Sequence, residues 1–124
     1  MRNARVSFVV PTFNSARTLP ECLRAIREQT YPRDSVEIVI ADAGSTDATL
    51  SIAKEFRCDR IVGNELQTGE AGKSAGIRAA TGDIIALVDS DNILDSPEWL
   101  NRMIAPFDDP DIVATEPLWY TRRD

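Results

Sequence analysis

Asp89 and Asp91 flank Ser90 directly after the apolar run 84–88. In an extended chain alternate residues point to the same side, about 6 to 7 Å apart along the backbone, so these two carboxylates can share one cation. The sequence contains no histidine. Oxygen ligands without ring nitrogen or thiolate select a hard ion, Mg²⁺ or Mn²⁺, which completes its shell with water and phosphate oxygens. Such an ion would act electrostatically, holding a diphosphate and stabilising it as it leaves, with Asp91 as the metal-assisting catalytic residue. A D-x-D pair is also common in surface turns, and it is the apolar run ahead of this one that separates the two readings.

Other polar residues follow other apolar runs. Pro11, Thr12, Phe13 and Asn14 come after the run 6–10, and Asp42 comes after the run 36–41. Asp42 has two readings: an acceptor for a ribose hydroxyl or base N–H, or an Asx-type turn former that bonds its own backbone. Phe13 could flank a base or pack as core. Lys73 could reach a phosphate oxygen, although an exposed lysine is by default a solvated one. Ser45, Thr46 and Asp47 read mainly as the cap of a following helix.

These residues need a scaffold that gathers them. The β-branched run 6–10, stopped by Pro11, reads as a buried strand. Thr18 with Glu21 has the capping-box form, and Leu19, Cys22, Leu23 and Ile26 then repeat with helical spacing. A second strand is expected at 36–41, a helix from Asp47 to about Phe56, a third strand at 61–62 and a helix over 70–80. The run 84–88 reads as a fourth strand covered on both faces. Ser96 and Pro97 supply a cap and a first helical proline for a fourth helix, and 112–114 reads as a last strand. Strands alternating with helices through short links imply an α/β fold: a mainly parallel sheet flanked by helices, one domain over 1–124. Ligands of such sheets bind outside the carboxyl ends of the strands, where the polar residues above fall.

The bulk numbers agree. The chain has 124 residues, and a domain of this size buries roughly two-thirds of its unfolded surface, enough for a core. With 14 basic and 20 acidic residues the net charge is −6, and no cluster of Lys or Arg offers a nucleic-acid footprint. An acidic protein that handles phosphate needs a cation to cancel repulsion. Cys22 and Cys58 have neither zinc-ligand spacing nor a disulfide framework, which suits a reducing cytoplasmic location, and Cys22 reads as a small buried hydrophobe. Residues 1–5 lead into a strand pattern without the apolar stretch of a signal peptide, and no run reaches the length of a membrane span.

The blocks VSFVVPTFN (6–14), QTYP (29–32), VEIVIADAGSTD (36–47) and GDIIALVDSDN (82–92) together resemble family 2 of the inverting glycosyltransferases, which have the Rossmann-like GT-A fold. The resemblance spans nearly the whole chain. It implies a nucleotide-diphospho-sugar donor, UDP- or GDP-linked, and transfer of the sugar to an acceptor hydroxyl with inversion. By position, Pro11 to Asn14 and Asp42 would line base and ribose, and Lys73 would lie near the diphosphate. Asp89 would contact ribose or metal beside Ser90, and Asp91 would ligate the metal. Three positions depart from the family pattern: Ala43 where a second Asp is frequent, Lys73-Ser74 in place of an Arg-Asn pair, and Asn92 in place of a third acid. The family's general base lies in a C-terminal half, so the 124 residues are expected to be the donor-binding portion. That half forms the acceptor site and sometimes carries membrane helices, which would bring the full-length protein to the cytoplasmic side of a membrane. Uncovered sheet surface would favour self-association.

Two other classes are weighed. Gly72-Lys73-Ser74 matches the end of a P-loop, but the first glycine of that motif would fall on Gln67. A non-catalytic module that binds a nucleotide or a partner is the other.

Overall fold

The structure, a computed structural model, describes residues 4–117. It contains four strands, β1 (Val6–Thr12), β2 (Val36–Asp42), β3 (Arg60–Gly63) and β4 (Ile84–Leu87). They pair in the order β3-β2-β1-β4, every pair parallel. Four helices link or follow them: α1 (Leu19–Arg27), α2 (Thr49–Glu55), α3 (Gly69–Ala79) and α4 (Trp99–Ile104).

Strand alternation sorts the sheet residues into two layers. Phe8 and Val10 of β1, with Ile38 and Ile40 of β2, face one side, where they join Leu19, Cys22, Leu23 and Ile26 of α1, Ala53 of α2 and Leu100 of α4 in one buried cluster. Phe8 also meets the Trp99 ring, centroids 6.3 Å apart. The other face is taken by α3, which approaches so closely that a Cβ on Gly76 would lie 2.3 Å from Val9 Cγ1 and one on Gly72 3.0 Å from Pro11 Cβ. Glycines at those two positions are what let the helix lie flat on β1.

At the starting end of the sheet, the Glu37 carboxylate is buried and fully engaged. Ser7 Oγ donates to it, as do the Thr81 amide at 2.8 Å, the Thr81 hydroxyl and Arg60 Nε at 3.1 Å. Burial alone would raise its pKa, but the bonds from Ser7, Thr81 and Arg60 outweigh that and hold it at about 2. This group joins β1, β2, β3 and the α3–β4 turn.

Several expectations need correction. Residues 112–114 form no strand: Val113 is 89% exposed, and no neighbouring strand is present among the described residues for it to pair with. β4 is not covered on both faces: Ile84, Ile85 and Ala86 are only half-buried and Leu87 is 49% exposed. Thr18 makes no side-chain cap, because it already has helical backbone angles, and the carbonyl of Ser15 takes the amides of Thr18 and Leu19 at 3.1 and 2.9 Å. Ser96 likewise bonds the Glu98 amide ahead of α4, whereas the Leu100 amide inside its first turn goes to Gln29 Oε1 at 2.8 Å. Gln29 Nε2 returns to the Ser96 carbonyl at 2.8 Å, so one side chain from the end of α1 sets the start of α4.

Candidate functional site

β1 stays paired with β2 as far as Thr12↔Asp42 but leaves β4 at Val9↔Leu87. Pro11 cannot donate to a ladder, and it stands where only β2 still flanks the strand. Beyond that point β1 and β4 part. The strand order also reverses here, with β2 on one side of β1 and β4 on the other, which in open parallel sheets is where ligand crevices form. A cleft of about 350 Å³ opens at this place. Pro11, Thr12 and Phe13 form its floor, Asp89, Ser90 and Asp91 one wall, and Ala43 with Asn64, Gln67, Thr68 and Gly69 the other.

The acidic wall is a turn pinned from four directions. Val88 N donates to the Val9 carbonyl at 3.1 Å, and the Asn92 amide closes the turn on the Asp89 carbonyl at 3.0 Å. The Cys22 thiol reaches the same carbonyl at 3.6 Å, and Ser90 Oγ donates to Ser15 Oγ at 3.1 Å. Burial, then the carboxylate of Asp91, pushes the Cys22 thiol up to about 12, so it stays a protonated donor. Ser15 continues inward: its amide donates to Thr49 Oγ1 at 2.8 Å, and that hydroxyl donates to Asp47. Ser90, Ser15 and Thr49 therefore tie the Asp89–Asp91 turn to the start of α2.

Asp89 and Asp91 are exposed and line the same cleft. Two carboxylates beside open space suit a hard cation that draws its other ligands from water and a phosphate. Among the described residues no group of three His, Cys, Asp or Glu converges as a closed metal site. The donor set fits a partly hydrated Mg²⁺ or Mn²⁺.

The remaining candidate residues divide. Thr12, Phe13 and Pro11 lie in the cleft, with Phe13 58% exposed, so its ring is not core. Asp42 is 7% exposed and turned inward. It accepts from Thr12 Oγ1 at 2.7 Å, Ser45 Oγ at 2.6 Å, Ser45 N at 2.8 Å and Gly44 N at 3.0 Å. A carboxylate offers about four acceptor positions, and these four donors take them. Burial opposes ionisation, but the bonds from Ser45, Thr12 and Gly44 keep the pKa below the ordinary value. Of its two readings, turn former is the one this geometry displays. Asn14, at φ 46°, spends its Oδ1 on the amides of Thr46 at 2.8 Å and Asp47 at 3.3 Å. It braces the two loops behind the cleft. Asp47 alone of the expected cap trio bonds the first turn of α2, through Thr49 N at 2.9 Å, while Ser45 serves Asp42 and Thr46 serves Asn14.

Lys73 sits on α3, pairs with Glu70 at 3.3 Å and does not line the cleft. Its neighbours Gly72 and Ser74 are inside α3 as well, so they cannot form the loop ahead of a helix that a P-loop requires, and that alternative is excluded. The wall 64–69 was not legible as part of the site: a mixed polar turn carries no periodicity, and its only signal was the position after a strand. A second cleft of about 330 Å³ lies between α1 and the segment 93–97, away from the strand ends.

A parallel α/β sheet with an acidic turn at its switch point defines a class of fold that binds ligands outside its strand ends, and comparison with known proteins narrows it. The family model for glycosyl transferase family 2 matches residues 7–122, and the chain belongs to that family. Glycosyltransferase AglE of Haloferax volcanii is 34% identical over 107 residues, covering 81% of this chain and 34% of the relative. Among solved structures, the mannosyltransferase PcManGT of Pyrobaculum calidifontis, in complex with GDP-Man and Mn²⁺, superposes with a TM-score of 0.81 at 30% identity over 88% of this chain and 34% of that one. TarS 1–349 of Staphylococcus aureus in complex with UDP-GlcNAc gives 0.75 at 29% identity over 84% and 31%. The chain thus spans about a third of the length of these relatives, and it shares their GT-A sheet. Among the described residues no helix is long and apolar enough to cross a membrane.

Proposed function

We propose that this chain is the donor-binding portion of a glycosyltransferase that takes a UDP- or GDP-linked sugar and transfers the sugar to an acceptor hydroxyl with inversion. One observation carries this reading: Asp89 and Asp91 line a single cleft with Pro11, Thr12 and Phe13 at the switch point of the sheet. The relatives in complex with GDP-Man and with UDP-GlcNAc support the choice of ligand, and the Mn²⁺ of the former supports the metal.

In this reading Asp89 and Asp91 would hold a divalent cation, which would supply positive charge beside the diphosphate as it leaves. Ser90 Oγ, its proton given to Ser15, accepts from a hydroxyl of the donor, Thr12 and Phe13 flank the nucleoside, and the Ser15 and Cys22 bonds fix the turn. Asp42 contributes by fixing the β2–α2 loop rather than by touching the donor. The acceptor site and the base that deprotonates the acceptor belong to the two-thirds of the relatives' length that this chain does not span.

Isothermal titration with UDP and GDP, each with Mn²⁺ and with EDTA, tests the proposal. Binding should require the metal and weaken at least tenfold in Asp91→Ala, the scale of one lost charge-assisted contact. Tight binding indifferent to both EDTA and Asp91→Ala would reject it.

A further inference from the structure

The opposite wall of the cleft contains a residue whose arrangement nothing above explains. Gln67 lies in the turn between β3 and α3 with φ 58°, a left-handed conformation that a non-glycine residue seldom adopts. Asn64 enforces this: its Oδ1 accepts the Gln67 amide at 3.2 Å, and its Nδ2 donates to the Thr68 carbonyl at 2.7 Å. The consequence is that the Gln67 side chain leaves its own loop, and Nε2 donates to the carbonyl of Ala43 at 2.9 Å. One N–H of the carboxamide is thereby fixed, which also fixes which way the amide points. Its Oε1 accepts no bond from any described residue, and Gln67 lines the cleft.

The sheet order says what this wall can meet. Asp89 to Asp91 follow β4, and residues 64–69 follow β3, with β1 and β2 in between. At about 4.8 Å per strand, the two walls are separated by roughly 14 Å. A nucleoside diphosphate whose phosphates sit with the cation at the β4 end must extend its base across Phe13 towards β3. At that end Ala43 offers a methyl group only, its amide is spent on the Thr12 carbonyl at 3.0 Å, and both polar atoms of Asn64 are engaged. Gln67 is left with an open acceptor and one remaining N–H, side by side in a fixed order.

We infer that Gln67 determines base recognition in this donor site: its carboxamide, clamped on the Ala43 carbonyl, bonds the lactam edge of a uracil or guanine, Oε1 accepting the ring N–H and Nε2 donating to the adjoining carbonyl. This rests on the donor-site reading above and adds to it the residue that reads the base. It also accounts for the strained backbone, since glycine would adopt φ 58° at less cost but would offer no amide.

The test is titration of the parent protein and of Gln67→Gly with UDP, GDP, their ring-N-methylated forms 3-methyl-UDP and 1-methyl-GDP, and pyrophosphate, all with Mn²⁺. Glycine suits the backbone there, so the melting temperature should hold or rise. The expected result is an affinity for the preferred nucleotide about tenfold lower in Gln67→Gly, the scale of one or two neutral hydrogen bonds. Pyrophosphate binding should stay within about twofold, and the parent's preference for the unmethylated base should disappear in the variant. Unchanged nucleotide affinity, or an equal loss for nucleotide and pyrophosphate, would overturn the assignment. A parent that binds none of these nucleotides would overturn the donor-site reading as well, and that failure is visible before any substitution is made.

Discussion

Replacing Gly76 with alanine places two opposing effects on one residue. In a free helix, glycine to alanine gains about 1 kcal/mol from backbone entropy. Here the new Cβ would stand 2.3 Å from Val9 Cγ1, about 1.1 Å inside the 3.4 Å at which ordinary contact begins. Val9 is β-branched in a fully buried strand, so its methyl has no second rotamer to move into, and α3 must instead lift from β1. Overpacking of this kind costs about 1–3 kcal/mol, which against the gain of about 1 kcal/mol leaves a net destabilisation of up to about 2 kcal/mol. Urea unfolding should show a lower midpoint at unchanged slope, because one methyl group barely changes the surface exposed on unfolding. Thr68 and Gly69, at the start of the same helix, line the cleft, so nucleotide affinity should fall with stability. In a Val9→Ala background the clash vanishes, Val9 Cβ being 3.4 Å away, and Gly76→Ala should then stabilise. If Gly76→Ala alone raised the midpoint, or if the two substitutions were additive, the close approach of α3 to β1 would not be what holds that glycine in place.

Two further outcomes follow from the same structure. Glu37 has its pKa held at about 2 against an ordinary 4.5, so its contribution of roughly 3 kcal/mol is complete above pH about 4.5 and is lost as pH falls towards 2; Glu37→Gln should flatten the acid limb of the stability curve relative to the parent, and identical limbs would contradict this. Asn14→Gly keeps the φ of 46° accessible while removing the bonds to Thr46 and Asp47, so thermal unfolding should report a loss of about 1–2 kcal/mol, with no loss if backbone conformation were the only reason for asparagine.

The alternation of strand and helix and the parallel sheet between helices were legible because each depends on a pattern along the chain, whereas the acidic pair was read on an extended backbone and lies in a turn closed by the Asn92 amide. β4 illustrates the limit. An all-apolar run says that its side chains want cover but not which polypeptide supplies it, and Leu87 remains half exposed on the edge of the described sheet. Residues 112–114 have strand propensity without a strand beside them, and propensity alone does not make a ladder. Asp42 was correctly placed at a strand tip, but its orientation depends on Gly44 turning at φ 98° to aim two amides back at it, which no spacing encodes. The hydroxyl row from Ser90 to Asp47 joins three loops distant in sequence, so only the fold assembles it.

The central position of β1 has a consequence for how the molecule comes into being. Its bonds to β2 join residues 30 positions apart, as between Thr12 and Asp42, whereas those that bring in β4 reach 78 positions, from Arg5 to Asp83. Closing the longer loop costs more chain entropy and slows the search. During synthesis the first three strands can dock while β4 is still in the ribosome, so the crevice between β1 and β4 should be the last part of the sheet to acquire its shape.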